Sequence, residues 1–429
     1  MTWISFLCFI ILFLIIFSMR KGGDVFSPGK VFGFIWALGI GLADLKFSRL
    51  QHPWSSLEWI FLLLGVCSFL AGVYVTNVIN LGKPVYPIYE MRKVISRTVT
   101  NETFLFRFTV ILFLCYLASY STSVMINGTV PLFSKIPSEA RTRFGVFGIG
   151  LINHAAPAIM FLTVQYYLLT ERHHYKKTLL AFIFIMTFLT YFLLLQRYDF
   201  ALWAVLTLVF FYYGSRYVTI KKMMIVGLVV IGLFSWISSI RLTGHIAYFA
   251  YIVSDMKFPV QYAIFTEPYM YIVTNLENFT HAVSKLDHFT YGYYTFDFLT
   301  AISGVKHWLA DYYYLNDTPY LTSGYNTYSF LWDFYRDFGI VGLAFFPFVE
   351  GIVISWLYQR MRQFPNTLYI SMYGIAVFVM IISFFNHAPS LLHFVFNSTI
   401  VFIANFFMLR GKITRHVIAT NSSIFPNKF

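Results

Sequence analysis

Charge is what this chain has least of. Asp, Glu, Lys and Arg make up 11% of its 429 residues, against 58% hydrophobic residues, whereas a soluble globular domain is roughly one quarter charged. A soluble fold is thereby excluded. Cysteine is scarce too, and Cys8, Cys67 and Cys115 each fall inside an apolar run, where a thiol behaves as a small hydrophobe. Neither a disulfide nor a zinc site is implied. A phosphate-binding loop, a dinucleotide fingerprint and the HExxH pattern are all missing, and the glycines of Phe144-Gly-Val-Phe-Gly-Ile-Gly150 merely open a helix. The sequence therefore leads us to expect no nucleotide, no cofactor and no metal.

Long apolar runs are present instead. They recur along the whole chain, separated by short basic or Pro/Gly-bearing breaks, and the long ones meet the requirement of roughly 20 residues for crossing a bilayer. The reading is an all-α integral membrane protein, a single polytopic domain over residues 1–429, with about eleven transmembrane helices. They are placed near Thr2–Met19, Val31–Leu45, Leu57–Ile79, Thr103–Ile126, Gly148–Leu169, Thr178–Leu195, Phe200–Tyr213, Met223–Ile240, Gly339–Tyr358, Leu368–Phe385 and Leu391–Leu409. The net charge of +13 comes without a polar basic domain, so nucleic acid is not the partner.

Basic residues cluster in alternate breaks: Arg20/Lys21/Lys30, Lys83/Arg92/Lys93/Arg97, Arg172/Lys176/Lys177, Arg216/Lys221/Lys222, Arg360/Arg362 and the C-terminal tail. The positive-inside rule makes these cytoplasmic, which puts the N-terminus outside and the C-terminus inside. No charged region precedes the first run and no small-residue cleavage site follows it, so it reads as a retained helix.

Between Arg241 and Asn326 lie about 85 residues without a spanning helix, far more than a plain connection needs. The segment 241–338 is expected to be a long outer loop between the eighth and ninth helices, carrying interfacial helices and covering an active site. Its tyrosines, Tyr269, Tyr271, Tyr291, Tyr293 and Tyr294 among them, suit the membrane–water interface or a carbohydrate groove.

Positive charge on the outer side needs a reason. Lys46, Arg49, Lys257, Lys285 and Lys306 are expected to face water. Arg197 and Arg241 stand at outer helix ends, and Arg141 with Arg143 forms a second outer cluster. A guanidinium fork matches phosphate geometry and keeps its charge, so converging arginines would clamp a lipid diphosphate without metal. Snorkelling to headgroups, or pairing with Asp199, is the other reading. If helical from about Asn326, the chain places Phe330, Asp333 and Asp337 on one face with Arg336 flanking. Either carboxylate is then a candidate base, or both simply cap and solvate an interfacial helix. His387 and His393 bracket the last outer turn, and His245, His281, His288 and His307 lie in the long loop; a lone histidine is more often a polar interface residue than a base.

Several of these residues are similar to a known pattern. Gly128-Thr-Val-Pro-Leu-Phe133 opens an outer loop and is followed by Arg141 and Arg143. Arg197 follows the sixth helix, and a long outer loop precedes the antepenultimate one. Gly324-Tyr-Asn-Thr-Tyr-Ser-Phe330 then leads to Asp337-Phe-Gly-Ile-Val-Gly342. In these features the chain resembles the bacterial oligosaccharide repeat-unit polymerases of O-antigen and capsular polysaccharide, which are related to the O-antigen ligases. The ligases carry a His-Asn pair ahead of this helix; here the pair is Tyr325-Asn326, so the ligase base does not carry over and a polymerase is favoured.

The resemblance implies glycosyl transfer on the outer face of the bacterial cytoplasmic membrane. A sugar hydroxyl of one undecaprenyl-diphosphate-linked repeat unit would attack the anomeric carbon of a growing chain. Arg197, Arg241, Arg141 and Arg143 would hold the diphosphate, Asp333 or Asp337 would act as base, and Tyr325, Asn326 and Arg336 would meet the sugar. A flippase and a chain-length regulator would be partners beside membrane lipid. A ligase and a lipid-linked oligosaccharide flippase or transporter remain the alternatives.

Overall fold

Apolar segments in lipid must satisfy every backbone N–H and C=O internally, which selects helix. In the computed structural model the chain is all-helical, with no strand among the described residues. Those residues are 3–20, 23–96, 101–170, 174–215, 246–286, 288–309 and 325–424, together with 225, 232, 312, 315, 319 and 320. The expected eighth helix, Met223–Ile240, lies outside them apart from Ile225 and Gly232, as does Arg241.

In chain order the helices are α1 Trp3–Arg20, α2 Pro28–Asp44, α3 Ser56–Ile79, α4 Ile88–Ser96, α5 Glu102–Asn127, α6 Pro137–Arg143, α7 Gly150–Asn153, α8 Ala156–Leu169, α9 His174–Phe192 and α10 Arg197–Gly214. They continue with α11 Ile246–Val253, α12 Thr266–Val283, α13 Asp297–Ser303, α14 Val305–Leu309, α15 Leu331–Gln363, α16 Thr367–Ile382 and α17 Leu392–Ile424. Among the described residues five helical stretches are long and apolar enough to cross a membrane: Ser56–Ile79, Glu102–Phe133, His174–Phe192, Leu331–Gln363 and Leu392–Leu409. Trp3–Met19, Ala156–Leu169 and Thr367–Ile382 are shorter apolar helices.

The chain divides into two compact units. The first comprises Met1–Lys83, Thr243–Gln359 and Ala376–Val395; the second comprises Pro84–Leu242, Arg360–Ile375 and Phe396–Phe429.

In the first unit α2 packs on α1 and α12. A capping box starts α3, with Ser55 Oγ accepting from Glu58 N and Ser55 N donating to Glu58 Oε2. Where α3 crosses α15 the backbones meet at glycine. A Cβ on Gly72 would collide with the Phe348 carbonyl, and one on Gly351 with the Phe69 carbonyl. Lipid provides no hydrophobic drive between helices, so such close contact of small residues is what holds the crossing. Around it Phe32 stacks on Phe69 with centroids 3.8 Å apart, and Trp36 Nε1 donates to Ser383 Oγ at 2.9 Å.

Helix α15 is not straight. Gly339 sits inside it at φ 59°, ψ −140°, a conformation open to glycine. The short arm before it folds back on the long arm after it, so that Phe334 stacks on Phe346 with rings 8° from parallel and centroids 5.1 Å apart.

Part of the segment read as a loop is buried helix. α12 carries the fully buried Glu277, whose carboxylate accepts from Lys46 Nζ at 2.5 Å and from Gln51 Nε2 and Trp54 Nε1 at 2.9 Å each. Lys46 therefore does not face water as expected; burial outweighs the pull of Glu277 and lowers its pKa. Lys306 likewise reaches Asp297 at 2.5 Å, and the exposed Arg49 pairs with Asp255 at 2.9 Å.

In the second unit α8 packs against α5, α9 and α10. The run expected as one helix over Gly148–Leu169 is split into α7 and α8, with His154 and Ala155 between them. Asn153 pins the break to α5, accepting from Ser119 Oγ at 2.7 Å and donating to Ser123 Oγ at 2.8 Å. Deeper in the unit Gln165 Nε2 donates to Asn405 Oδ1 at 2.5 Å, so both buried amides are paired.

Candidate functional site

Among the described residues, the expected site residues that gather do so in two clusters, one in each unit.

In the first unit, Asn278 of α12 donates through Nδ2 to the carbonyls of Tyr325 and Thr327, at 2.8 Å each, and fixes the chain entering α15. Tyr325 is half-buried, its hydroxyl 2.8 Å from Ser254 Oγ, whereas Asn326 is exposed. Arg336 is buried. Its guanidinium donates to the His288 carbonyl at 3.3 Å, lies 3.2 Å from His288 Nε2 and sits over the Trp332 ring at 5.8 Å.

The two aspartates have different surroundings. Asp337 is fully buried and accepts from Thr290 Oγ1 at 2.5 Å, Thr295 N at 2.6 Å and Tyr294 N at 3.1 Å. Its carboxylate is thereby committed to holding the 290–295 turn against α15. Asp333 is less occupied. Its Oδ2 accepts from Ser390 Oγ at 3.1 Å and lies 3.6 Å from His387 Nδ1. The other ring nitrogen of His387, Nε2, is 2.7 Å from Glu350 Oε1. Burial works against a charged His387 ring, but Glu350 and Asp333 more than offset it and raise its pKa to about 9. The ring is an imidazolium at neutral pH.

Only the kink at Gly339 makes this trio possible. Asp333 and Glu350 would stand about 25 Å apart along a straight helix rising 1.5 Å per residue. Folded back, both reach one histidine.

In the second unit the loop after α5 meets the corner between α9 and α10. Leu132 N donates to the Leu193 carbonyl at 3.1 Å. Leu195, fully buried, holds φ 57°, a left-handed backbone that costs a leucine of order 1 kcal/mol and persists only where the surroundings impose it. Arg197 opens α10 directly after this corner and is half-buried. Asp199, one half-turn on, is buried and accepts from the Tyr191 hydroxyl. His154 Nδ1 lies 2.8 Å from Asp199 Oδ2, and the Tyr191 hydroxyl is also 2.7 Å from the Gln196 side-chain amide. Asn397 holds the backbone of His154 by donating to its carbonyl at 2.7 Å.

Arg141 belongs to this corner, for it is half-buried and near enough to Tyr191 for its charge to act on the phenol. Arg143 points elsewhere: it is 77% exposed and pairs with Glu139 of its own helix at 2.8 Å. Residues two apart on a helix lie on different faces, which is why neighbours in sequence separate here.

The structure thus brings Arg141 to the corner that Arg197 opens, and places Asp333, Asp337, Arg336 and Tyr325 around the start of α15. Sequence reasoning missed His154 and Glu350 and left His387 without a partner. Glu350 carried a usable signal: an acidic residue inside the apolar run after Gly339 is rarely idle. His154 carried only an indirect one, Pro157, which marks a helix start just after it.

No family model, no curated protein and no solved structure matches the chain.

Proposed function

We propose that this protein is a membrane glycosyltransferase that joins undecaprenyl-diphosphate-linked oligosaccharide repeat units into a polysaccharide. In this reading the chain crosses the bacterial cytoplasmic membrane about eleven times, with its N-terminus outside and its C-terminus in the cytoplasm. Segment 241–338 lies on the outer side, and a flippase supplies the repeat units.

The observation that carries the reading is the corner of the second unit. Arg141 and Arg197 come from segments far apart in sequence, yet Arg141 lies near enough to act on Tyr191, which donates to the buried Asp199, and Arg197 opens α10 two residues before that aspartate. Fixed positive charge beside a membrane suits a lipid diphosphate as leaving group, because guanidinium forks stabilise the charge that develops as the glycosidic bond breaks. Each charge-assisted hydrogen bond is worth about 1.5–3 kcal/mol. Arg241 would join them from outside the described residues.

Deletion of the gene, followed by complementation with wild type, Arg141→Ala or Arg197→Ala at matched membrane levels, tests this. The expected outcome is single capped repeat units in the deletion strain and long chains with wild type. Each variant should lower chain formation about 10- to 100-fold, the equivalent of one lost charge-assisted bond. Loss of even single units from the outer face would favour a flippase. Free polymer that is made but not attached to its acceptor would favour a ligase.

A further inference from the structure

Glycosyl transfer requires a group that takes the proton of the attacking hydroxyl, and the first unit contains a carboxylate arranged to do so. From the arrangement of Asp333, His387, Glu350 and Ser390 we infer that Asp333 is the proton acceptor for the sugar hydroxyl and that His387, gripped by Glu350, is its positioning residue. The assignment rests on the glycosyltransferase reading above.

Of the two aspartates at the start of α15, Asp337 has both oxygens occupied by the 290–295 turn. Asp333 has one oxygen occupied: Oδ2 takes Ser390 and faces His387, while Oδ1 receives no donor among the described residues. A side chain only 17% exposed with one oxygen open is positioned to meet a substrate hydroxyl without being swamped by water.

His387 is buried, and it is held from its far side by Glu350 at 2.7 Å, which aims Nδ1 at Asp333. An imidazolium 3.6 Å from the carboxylate favours the ionised form that can accept a proton. Already protonated, His387 cannot take the proton itself; its task is to orient Asp333 and keep it charged.

In the step, the acceptor hydroxyl oxygen bonds to the anomeric carbon of the donor. The bond from that carbon to the diphosphate breaks, its electron pair leaves with the diphosphate, and the hydroxyl proton passes to Asp333 Oδ1. The groups facing His387 are Glu350 and Asp333 of α15 and Ser390 of the 388–390 turn; Asp337, one helical turn beyond Asp333, acts on Asp333.

The test is the pH dependence of chain formation by the purified full-length protein, using lipid-diphosphate-linked repeat units. Wild-type activity should fall as pH rises through about 9, where His387 loses its proton. Glu350→Gln keeps an oxygen for Nε2 but removes the charge, and should move that alkaline limb down by about one unit or more. His387→Gln should abolish the limb. Asp333→Asn should lose about 10²–10⁴-fold at every pH, with Asp333→Glu recovering part.

The limb is read as rate per folded protein, with the folded fraction measured at each pH, so that a loss of stability above pH 9 does not create it. An unmoved limb in Glu350→Gln, or wild-type rates in Asp333→Asn, would overturn the assignment while leaving a working polymerase. If the wild-type protein makes no chains from these units, the glycosyltransferase reading fails and takes the assignment with it.

Discussion

The acidic centre of the first unit and the basic corner of the second solve the problem of charge in a membrane protein in different ways. Asp333, Glu350 and His387 share one positive charge: an imidazolium stands between two carboxylates, and a single kinked helix with one turn supplies every member. The second unit buries one carboxylate, Asp199, against a tyrosine and a histidine, and keeps its arginines where a loop crosses a helix corner. The first arrangement keeps a net negative charge, with one oxygen of Asp333 receiving no donor among the described residues. The second gathers positive charge at a corner suited to an anion from outside the chain. An acidic centre suits proton handling, and a cationic corner suits phosphate.

The comparison breaks most readily at Asp337. If that residue is a clamp and not a base, Asp337→Ala frees three buried donors at once and should destabilise the protein by about 3–5 kcal/mol. Folded protein recovered in detergent should drop accordingly, while Asp333→Asn stays folded and is inactive. Equal recovery of the two variants would remove the distinction drawn between the aspartates.

A smaller effect tests the sharing of that positive charge. The folded pKa of His387 is raised from an ordinary 6.5 to about 9, so its stabilisation is fully present below about pH 6.5 and is lost as pH rises through 9. The difference amounts to at most about 3 kcal/mol. Thermal unfolding followed from pH 6 to pH 10 should show this loss in wild type and not in His387→Gln.

The smallest effect sharpens the basic corner. Arg143 is exposed and bound to its own helix, so Arg143→Ala should change chain formation less than twofold and stability by under about 0.5 kcal/mol. Arg141→Ala serves as the paired control, and equal losses would mean that position on α6 does not matter.

Helix existence was legible where the apolar run was long and uninterrupted: Leu57–Ile79 was expected and Ser56–Ile79 is observed, as are Glu102–Asn127 for Thr103–Ile126. Composition and length decide such segments locally. The breaks were missed. The run from Gly148 to Leu169 contains Pro157, which belongs in the first turn of a helix and not in its interior, and the hydrogen bonds of Asn153 to α5 hold the chain where it divides before Ala156. Gly339 was read as the start of a helix, and it is instead a bend inside one, visible in its backbone angles and in the stacking of Phe334 on Phe346. Site chemistry followed the same rule. Charged residue types could be picked out, but the pairing of Asp333 with His387 and Glu350 depends on that bend, and the separation of Arg141 from Arg143 depends on the face each presents.

The glycine crossing of α3 with α15 has a consequence for how this protein can change over time. Most of its lipid-facing surface can exchange one apolar side chain for another at little cost. Gly72 and Gly351 cannot, because any side chain there meets a carbonyl of the opposing helix, and Gly339 is held at a backbone angle that other residues avoid. Sequences descended from this one are therefore expected to keep glycine at these three positions while the apolar surface around them drifts.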